Sequence, residues 1–422
     1  MTRFLLFILL STASSMMASM MASAQRFWRG ADISWSTEMA ADGKLFYNAS
    51  GEATEINTLM HDCGMNAIRL RVWAEPTLGG WCGTQDVVDK ALAAKAAGME
   101  VLIDFHYSDF FADPGRQAIP AAWKTTDIAA LADHVAAHTT EVLQALKNAG
   151  VTPRWVQIGN ETRNGMLYSI YDETSHTWST ASGLATGSTD TKYGGGWDNY
   201  VKLSNAGYEA AKAIFPDVIC MTHLDTRGSD TDLSWWFEAF KNKGGKVDMI
   251  GLSHYPMSWN AAGETSATTT GKQRNTALLD LATKLHEAYG LPLMVVETGV
   301  YCEYTTGGKA VMEDLFNQCR KSEAVKGIFY WEPEQYNWWK PAIYSTIGWT
   351  NYNMCAFLHN GSPSPILDAF QPTPEEIEAD GIAKLTTNPA DDNRSPQYTL
   401  SGRRAKAGQH GIVIDRNGKT LQ

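Results

Sequence analysis

Two glutamates stand where a chain could use them for chemistry. The stretch "VTPRWVQIGNETRNGMLY" (151–168) begins β-branched and aromatic, reads as a buried strand, and runs into Gly159, Asn160 and Glu161 just as the strand ends. A second run, "PLMVVE" (292–297), stops directly on Glu297. Paired carboxylates across one cleft are the machinery of glycosidic bond hydrolysis. One must be protonated to give the leaving oxygen its proton, and the other ionised to attack or steady the oxocarbenium-like transition state. Like charges a few ångströms apart push one pKa up, which separates the two roles. The Asn160 amide would suit the sugar 2-hydroxyl, a contact that strengthens in the transition state.

Something must bring two such distant residues together. Short apolar strands alternate with longer amphipathic runs along most of the chain. Eight strand candidates emerge: "FWRGADIS" (27–34), "MNAIRLRVW" (65–73), "MEVLIDFHY" (99–107), "RWVQIGN" (154–160), "VICMTHL" (218–224), "VDMIGLSHY" (247–255), "PLMVVE" and "KGIFYWE" (326–332). Helix-like runs lie between them, two of which end in Gly, a common helix C-terminus. Eight strands with helices between them predict an α/β fold, a closed (β/α)8 TIM barrel. An open doubly wound sheet would show fewer strands and a Gly-rich phosphate fingerprint. In a barrel all strand C-termini open onto one face, where catalytic groups gather. Here those ends carry Asp32, Arg71 with Trp73, Asp104 with His106, Asn160-Glu161, His223 with Asp225, His254-Tyr255, Glu297 and Trp331-Glu332.

The flanks differ. Residues 1–24 combine Arg3, a short apolar run and small residues ending in Ala22-Ser23-Ala24, which reads as a secretory signal peptide rather than a membrane span. The barrel then covers 25–370. A Pro- and acid-rich linker is expected at 371–396, followed at 397–422 by a short β-rich tail with a turn at Arg416-Asn417-Gly418. That tail resembles the C-terminal segments of exported Bacteroidetes proteins, with sorting, anchoring or no role left open. The protein is therefore expected to be exported (periplasmic, cell-surface or extracellular), without a transmembrane segment and monomeric.

Net charge is −11 with no basic cluster, which excludes nucleic acid as a partner. Fifteen Trp, sixteen Tyr and fourteen Phe favour a neutral ligand gripped by aromatic faces, such as a polysaccharide. Among the six cysteines there is no CxxC pair, so zinc is not expected. Cys63 and Cys220 fall in apolar patterns and read as buried thiols, while a bridge among Cys302, Cys319 and Cys355 stays open.

Several stretches together carry a resemblance. "RGADIS" (29–34), "NAIRLRVW" (66–73), "DFHYSDFFADPGRQAIPAAW" (104–123), "VQIGNETRNGMLY" (156–168), "GLSHYP" (251–256), "VVET" (295–298) and "FYWEP" (329–333) occur in order across the barrel. They resemble glycoside hydrolase family 53, the endo-β-1,4-galactanases, within the retaining (β/α)8 glycosidases. The resemblance implies Glu161 as acid/base, Glu297 as nucleophile, and retaining cleavage of internal β-1,4-galactosidic bonds in pectic galactan. Arg71, or Arg69 on the same face, would hold the nucleophile ionised, with Arg69 as an internal salt-bridge residue the plainer alternative. Tyr255 would donate to Glu297, with His254 on the same wall and Trp331 as the floor under the sugar. Asp104, His106 and Asp109 would bond hydroxyls, and Trp123, Trp338, Trp339 and Trp349 would stack outer sugars or simply anchor loops.

No metal-ligand spacing is seen, so no catalytic metal or cofactor is expected. Bacterial members often tie the strand-seven and strand-eight loops with a structural calcium, but the short loop "TGVYCEYTTGGKAV" shows no Asp/Asn ligand array for one. Phe111 and Tyr168 stand where the family usually carries Trp. Two alternatives remain at this stage: a retaining β-glycanase acting on mannan or cellulose, and a non-catalytic glycan-binding barrel.

Overall fold

Eight parallel strands close on themselves: β1 (Trp28–Asp32), β2 (Ala67–Val72), β3 (Glu100–Phe105), β4 (Trp155–Ile158), β7 (Ile219–Asp225), β8 (Met249–Met257), β9 (Leu293–Val300) and β10 (Val325–Trp331). β5 (Ser169–Asp172) and β6 (Thr177–Thr180) form a separate antiparallel hairpin. The computed structural model describes residues 26–379, apart from 124, 126, 173, 174, 176, 181–195 and 227–231, together with 398–399, 412–415 and 418–421. The expected signal peptide, most of the linker and most of the tail lie outside the described residues.

The strands are apolar on both faces because both faces are covered. Every residue of β1, β2, β4 and β9 is buried. Inside the barrel, Trp28, Leu102, Trp155, Met294 and Phe329 pack as one cluster, with the Trp28 and Trp155 rings edge to face at 4.8 Å. Gly30 leaves the room that the Phe329 ring fills: a Cβ there would lie 2.3 Å from that ring. Outside, the helices show the expected spacing. In Ile128–Asn148, Leu131, Val135, Val142 and Leu146 make the buried stripe, and the Asp127 side chain caps the helix by accepting from the Ala130 N–H. Among the described residues no helix is long and apolar enough to cross a membrane.

The β5–β6 hairpin is an addition that strand periodicity does not anticipate. It follows Glu161 in the chain and is anchored through a bridge between Ser169 and Ala118. Its Tyr171 hydroxyl donates to Thr346 O at 3.0 Å in the segment after β10, so it braces one rim of the barrel mouth.

The chain divides at Thr373 and Pro374 into two units. In the second, the residues expected to be linker begin with a short helix, Pro374–Ala379. Pro at its start and Glu375 and Glu376 in its first turn favour it locally. The tail strands Tyr398–Thr399, Ile412–Asp415 and Gly418–Leu421 pair antiparallel in that order.

Candidate active site

Barrel closure puts Glu161 and Glu297 across one cleft. A carboxylate oxygen of each, with a ring nitrogen of His223, all lie within 4.8 Å of one another. Glu161 follows β4 in a left-handed conformation, φ 47° and ψ 51°, which turns its side chain from the strand into the cleft. Its Oε1 accepts from the Ser253 hydroxyl at 2.7 Å. Ser253 Oγ lies equally close, 2.7 Å, to His223 Nε2, while His223 Nδ1 faces Asn160 Oδ1 at 2.9 Å and the Glu161 N–H at 3.3 Å. Burial and the nearby Arg69 keep this histidine neutral, its pKa well below the usual value.

Glu297 is held from both sides. Arg69 Nη2 reaches its Oε1 at 2.9 Å, and the Tyr255 hydroxyl donates to its Oε2 at 3.1 Å. Arg69 is fully buried and also pairs with Asp32 at 2.7 Å and Asp104 at 2.8 Å. Burial raises Glu297 to about 7 against the pull of Arg69. Glu161 is driven well above its ordinary value, by burial first and then by the negative charges of Glu297 and Asp225. Glu161 therefore keeps a proton under conditions where Glu297, with its cation and phenol, can give one up.

Around the pair lies a cavity of about 620 Å³, lined by His106, Phe111, Asn160, Tyr255, Trp331, Trp349 and the segment Thr350–Met354, among others. That volume suits a small-ligand cleft. Trp331 forms an apolar side of it, fixed edge-on against Trp35 (5.3 Å) and Tyr352 (4.8 Å). Asn160 is positioned through Oδ1, which accepts from Arg69 at 2.9 Å, and Nδ2, which donates to Ala112 O at 2.8 Å. His106 accepts from the Ala112 N–H at Nδ1, so its Nε2 proton points at Asp104, 3.0 Å away.

Other expected contacts lie elsewhere. Arg71 does not reach Glu297: it pairs with Glu332 at 2.9 Å and lies over the Phe111 ring at 4.4 Å, so of the two arginines it is Arg69 that holds the Glu297 carboxylate. Asp104 is wholly buried and supports Arg69 and His106 rather than facing the cavity; the Arg69 guanidinium and the proton on His106 Nε2 hold it at about 2 despite burial. Asp109 ties two loops, accepting from the Glu75 and Ala121 N–H groups. His254 points out of the barrel to Asn275 on helix Glu264–Tyr289 at 2.9 Å. Trp123 stacks on His134, with ring centroids 5.0 Å apart. Trp339 is buried and donates to Asp42, and Trp338 is partly exposed beside His359. Phe111 keeps an aromatic face on the cavity, whereas Tyr168 is buried and donates to Pro114 O.

Sequence reading missed Ser253 as a partner of Glu161, and Gln157, which bridges Arg69, Asp104 and His223. Strand parity was the available signal: in β8 Ser253 and Tyr255 share a face and His254 takes the other. Among the described residues, Glu161, His223 and Glu297 form the one cluster spaced for a cation. Both ring nitrogens of His223 already face hydrogen-bond partners, and the two oxygens of Glu297 are held by Arg69 and Tyr255.

Comparison with known proteins agrees with this geometry. Residues 28–370 match the model for Glycosyl hydrolase family 53. The chain is 30% identical over 336 residues to arabinogalactan endo-beta-1,4-galactanase A of Emericella nidulans, covering 74% of this chain and 86% of that protein. It is 29% identical over 334 residues to the arabinogalactan endo-beta-1,4-galactanase of Cellvibrio japonicus, covering 73% and 80%. A solved fungal beta-1,4-galactanase superposes with a TM-score of 0.66 at 28% identity, covering 82% of this chain and all of that one. With the two carboxylates at the mouth of the barrel and the match running through all eight strands, the chain belongs to glycosyl hydrolase family 53 and is a glycoside hydrolase.

Proposed function

We propose that the protein is an exported endo-hydrolase that cleaves internal β-1,4-galactosidic bonds of pectic galactan with retention of anomeric configuration. The observation that carries the mechanism is the approach of the Glu161 and Glu297 oxygens to within 4.8 Å. That spacing suits direct attack and leaves no room for the intervening water of an inverting enzyme. The substrate reading is supported by the galactanases to which the chain is similar.

In the first step Glu297 attacks the anomeric carbon while Glu161 passes its proton to the departing glycosidic oxygen. The C–O bond breaks and a glycosyl ester forms on Glu297. In the second step Glu161, now ionised and accepting from Ser253, takes a proton from water. The water oxygen bonds the anomeric carbon, and Glu297 leaves as a carboxylate onto Arg69 and Tyr255. Trp331 offers the sugar an apolar face throughout, and no cofactor enters the chemistry.

Hydrolysis of linear β-1,4-galactan, followed by NMR of the first-formed anomer, tests this reading. Release of the β-anomer is expected, and Glu161→Gln or Glu297→Gln should each lower kcat by roughly 10³-fold or more while oligosaccharide binding survives. Release of the α-anomer would refute retention, cleavage of mannan or cellulose in place of galactan would refute the substrate, and undiminished turnover in either variant would remove that residue from its role.

A further inference from the structure

We propose, on the reading of the cleft as a sugar site, that Glu334 is a positioning residue for it. As a neutral acid Glu334 donates to the Glu332 carboxylate and so holds the aromatic walls, Phe111 and Trp331, in place. The two glutamates directly follow β10, with Pro333 between them, and both are wholly buried.

Glu332 connects the ends of three strands. Its N–H donates to Asp32 O at 2.8 Å, continuing the ladder with β1, and its backbone then turns left-handed at φ 46°. Its Oε1 accepts from Arg71 Nη1 at 2.9 Å and its Oε2 from the Trp35 N–H at 3.1 Å. Each partner backs one aromatic wall. The Arg71 guanidinium lies over the Phe111 ring at 4.4 Å and the Trp73 ring at 5.3 Å. Its Nε and Nη2 make no hydrogen bond, so the bond to Glu332 sets where the cation lies. The Trp35 ring meets Trp331 edge-on at 5.3 Å, and Phe111 meets Trp331 at 6.2 Å. Phe111 and Trp331 both line the substrate cavity.

Glu334 completes the arrangement. Neither of its carboxyl oxygens meets an N–H or hydroxyl donor from another residue among those described. The carboxyl instead faces that of Glu332, a contact that favours the charged form of Glu332 and the neutral form of Glu334. Burial first, and then the negative charge of Glu332, drives Glu334 well above the usual carboxylate range. Charge balance points the same way. Arg71 is committed to Glu332, and Arg69 to Asp32, Asp104 and Glu297, so an ionised Glu334 would be a buried charge with no cation of its own. A neutral carboxyl has one O–H to give, and a charged acceptor beside it makes that hydrogen bond a strong one. The other titratable groups around the pair are Asp32 at the end of β1, Cys82 after β2 and Tyr344 after β10.

Infrared difference spectroscopy of the full chain at neutral pH tests the proton. Subtracting the spectrum of Glu334→Gln from that of the parent should leave the carbonyl band of a protonated carboxyl group, the proton on Glu161 being common to both and cancelling. A difference spectrum without that band would overturn the assignment. Hydrolysis of galacto-oligosaccharides tests the positioning. Glu334→Gln keeps a donor toward Glu332 and should hold kcat/KM within about twofold of the parent. Glu334→Leu keeps the bulk without the donor; it should lower kcat/KM roughly tenfold and alter the near-ultraviolet circular dichroism of the aromatic walls. A Leu variant with parental kcat/KM or unaltered dichroism, or a Gln variant as impaired as the Leu one, would refute the role. Should Glu334→Leu fail to fold, the infrared band and the Gln variant still decide. Should galactan prove not to be the substrate, the infrared band and the dichroism read the brace without it.

Discussion

Among the described residues Ser253 makes the one direct side-chain hydrogen bond to the Glu161 carboxylate, and that bond favours the ionised form of the acid. Ser253→Ala removes it, so the pKa of Glu161 rises further. The acid must be protonated to act, and the alkaline limb of kcat/KM reports the loss of that proton. The limb is expected to move to higher pH, while kcat falls about tenfold because water activation weakens. A limb that stays in place or moves to lower pH would show that Ser253 does not govern this proton. At this scale the two glutamates were legible because a carboxylate ending an apolar strand has no folding reason to be there. Tyr255 was legible too, while its neighbour His254 was misassigned because consecutive strand residues face opposite ways. Arg71 and Asp104 point inward as expected, but each is consumed by a buried ion pair, which only the packed barrel discloses.

The strands themselves were the most readable elements, since a parallel sheet covered on both sides demands uninterrupted apolar runs. All eight expected strands are present, in closed order. The β5–β6 hairpin was hidden because only a short part of it alternates, and its anchors, Gln117 and Ala118, are distant in sequence. Asp109 and Trp123 were misplaced for a related reason: they sit in the loop after β3, where no periodicity sets direction. The interior of the barrel makes its own demand at β1. Gly30→Ala would push a methyl into the Phe329 ring, and a barrel strand cannot shift to make room. A loss of about 1–3 kcal/mol is expected, measured by urea unfolding. A variant as stable as the parent would mean that the ring can move aside.

Over the whole molecule, burial sets the response to acid. His138, on the face of helix Ile128–Asn148 that packs on Phe105 and Tyr107, and His254, against helix Glu264–Tyr289, are each held down to about 4 by burial. Arg274 adds to the effect at His254, and the bond to Asn275 opposes it. A histidine with a lower pKa folded than unfolded contributes stability that is complete above about 6.5 and drains away as pH falls toward 4. Across that window each group contributes on the order of a few kcal/mol. The buried carboxyls Glu161, Glu297, Glu332 and Glu334, all raised above their ordinary values, act in the opposite sense, so the histidine contribution is read by difference: the stability of the parent relative to His254→Asn should fall from pH 6.5 to 4. An unchanged slope in that variant would exclude His254 as a source. This term was invisible in the sequence, where a histidine gives no sign of the helix that will cover it.

Glu161 sits at φ 47°, a backbone setting that a residue with a Cβ tolerates poorly and glycine accepts freely. The enzyme thus keeps its acid where the polymer would rather have no side chain at all. Selection for robustness alone would erode that position first, so heat-hardened descendants of this chain should be screened for turnover before they are admired for endurance.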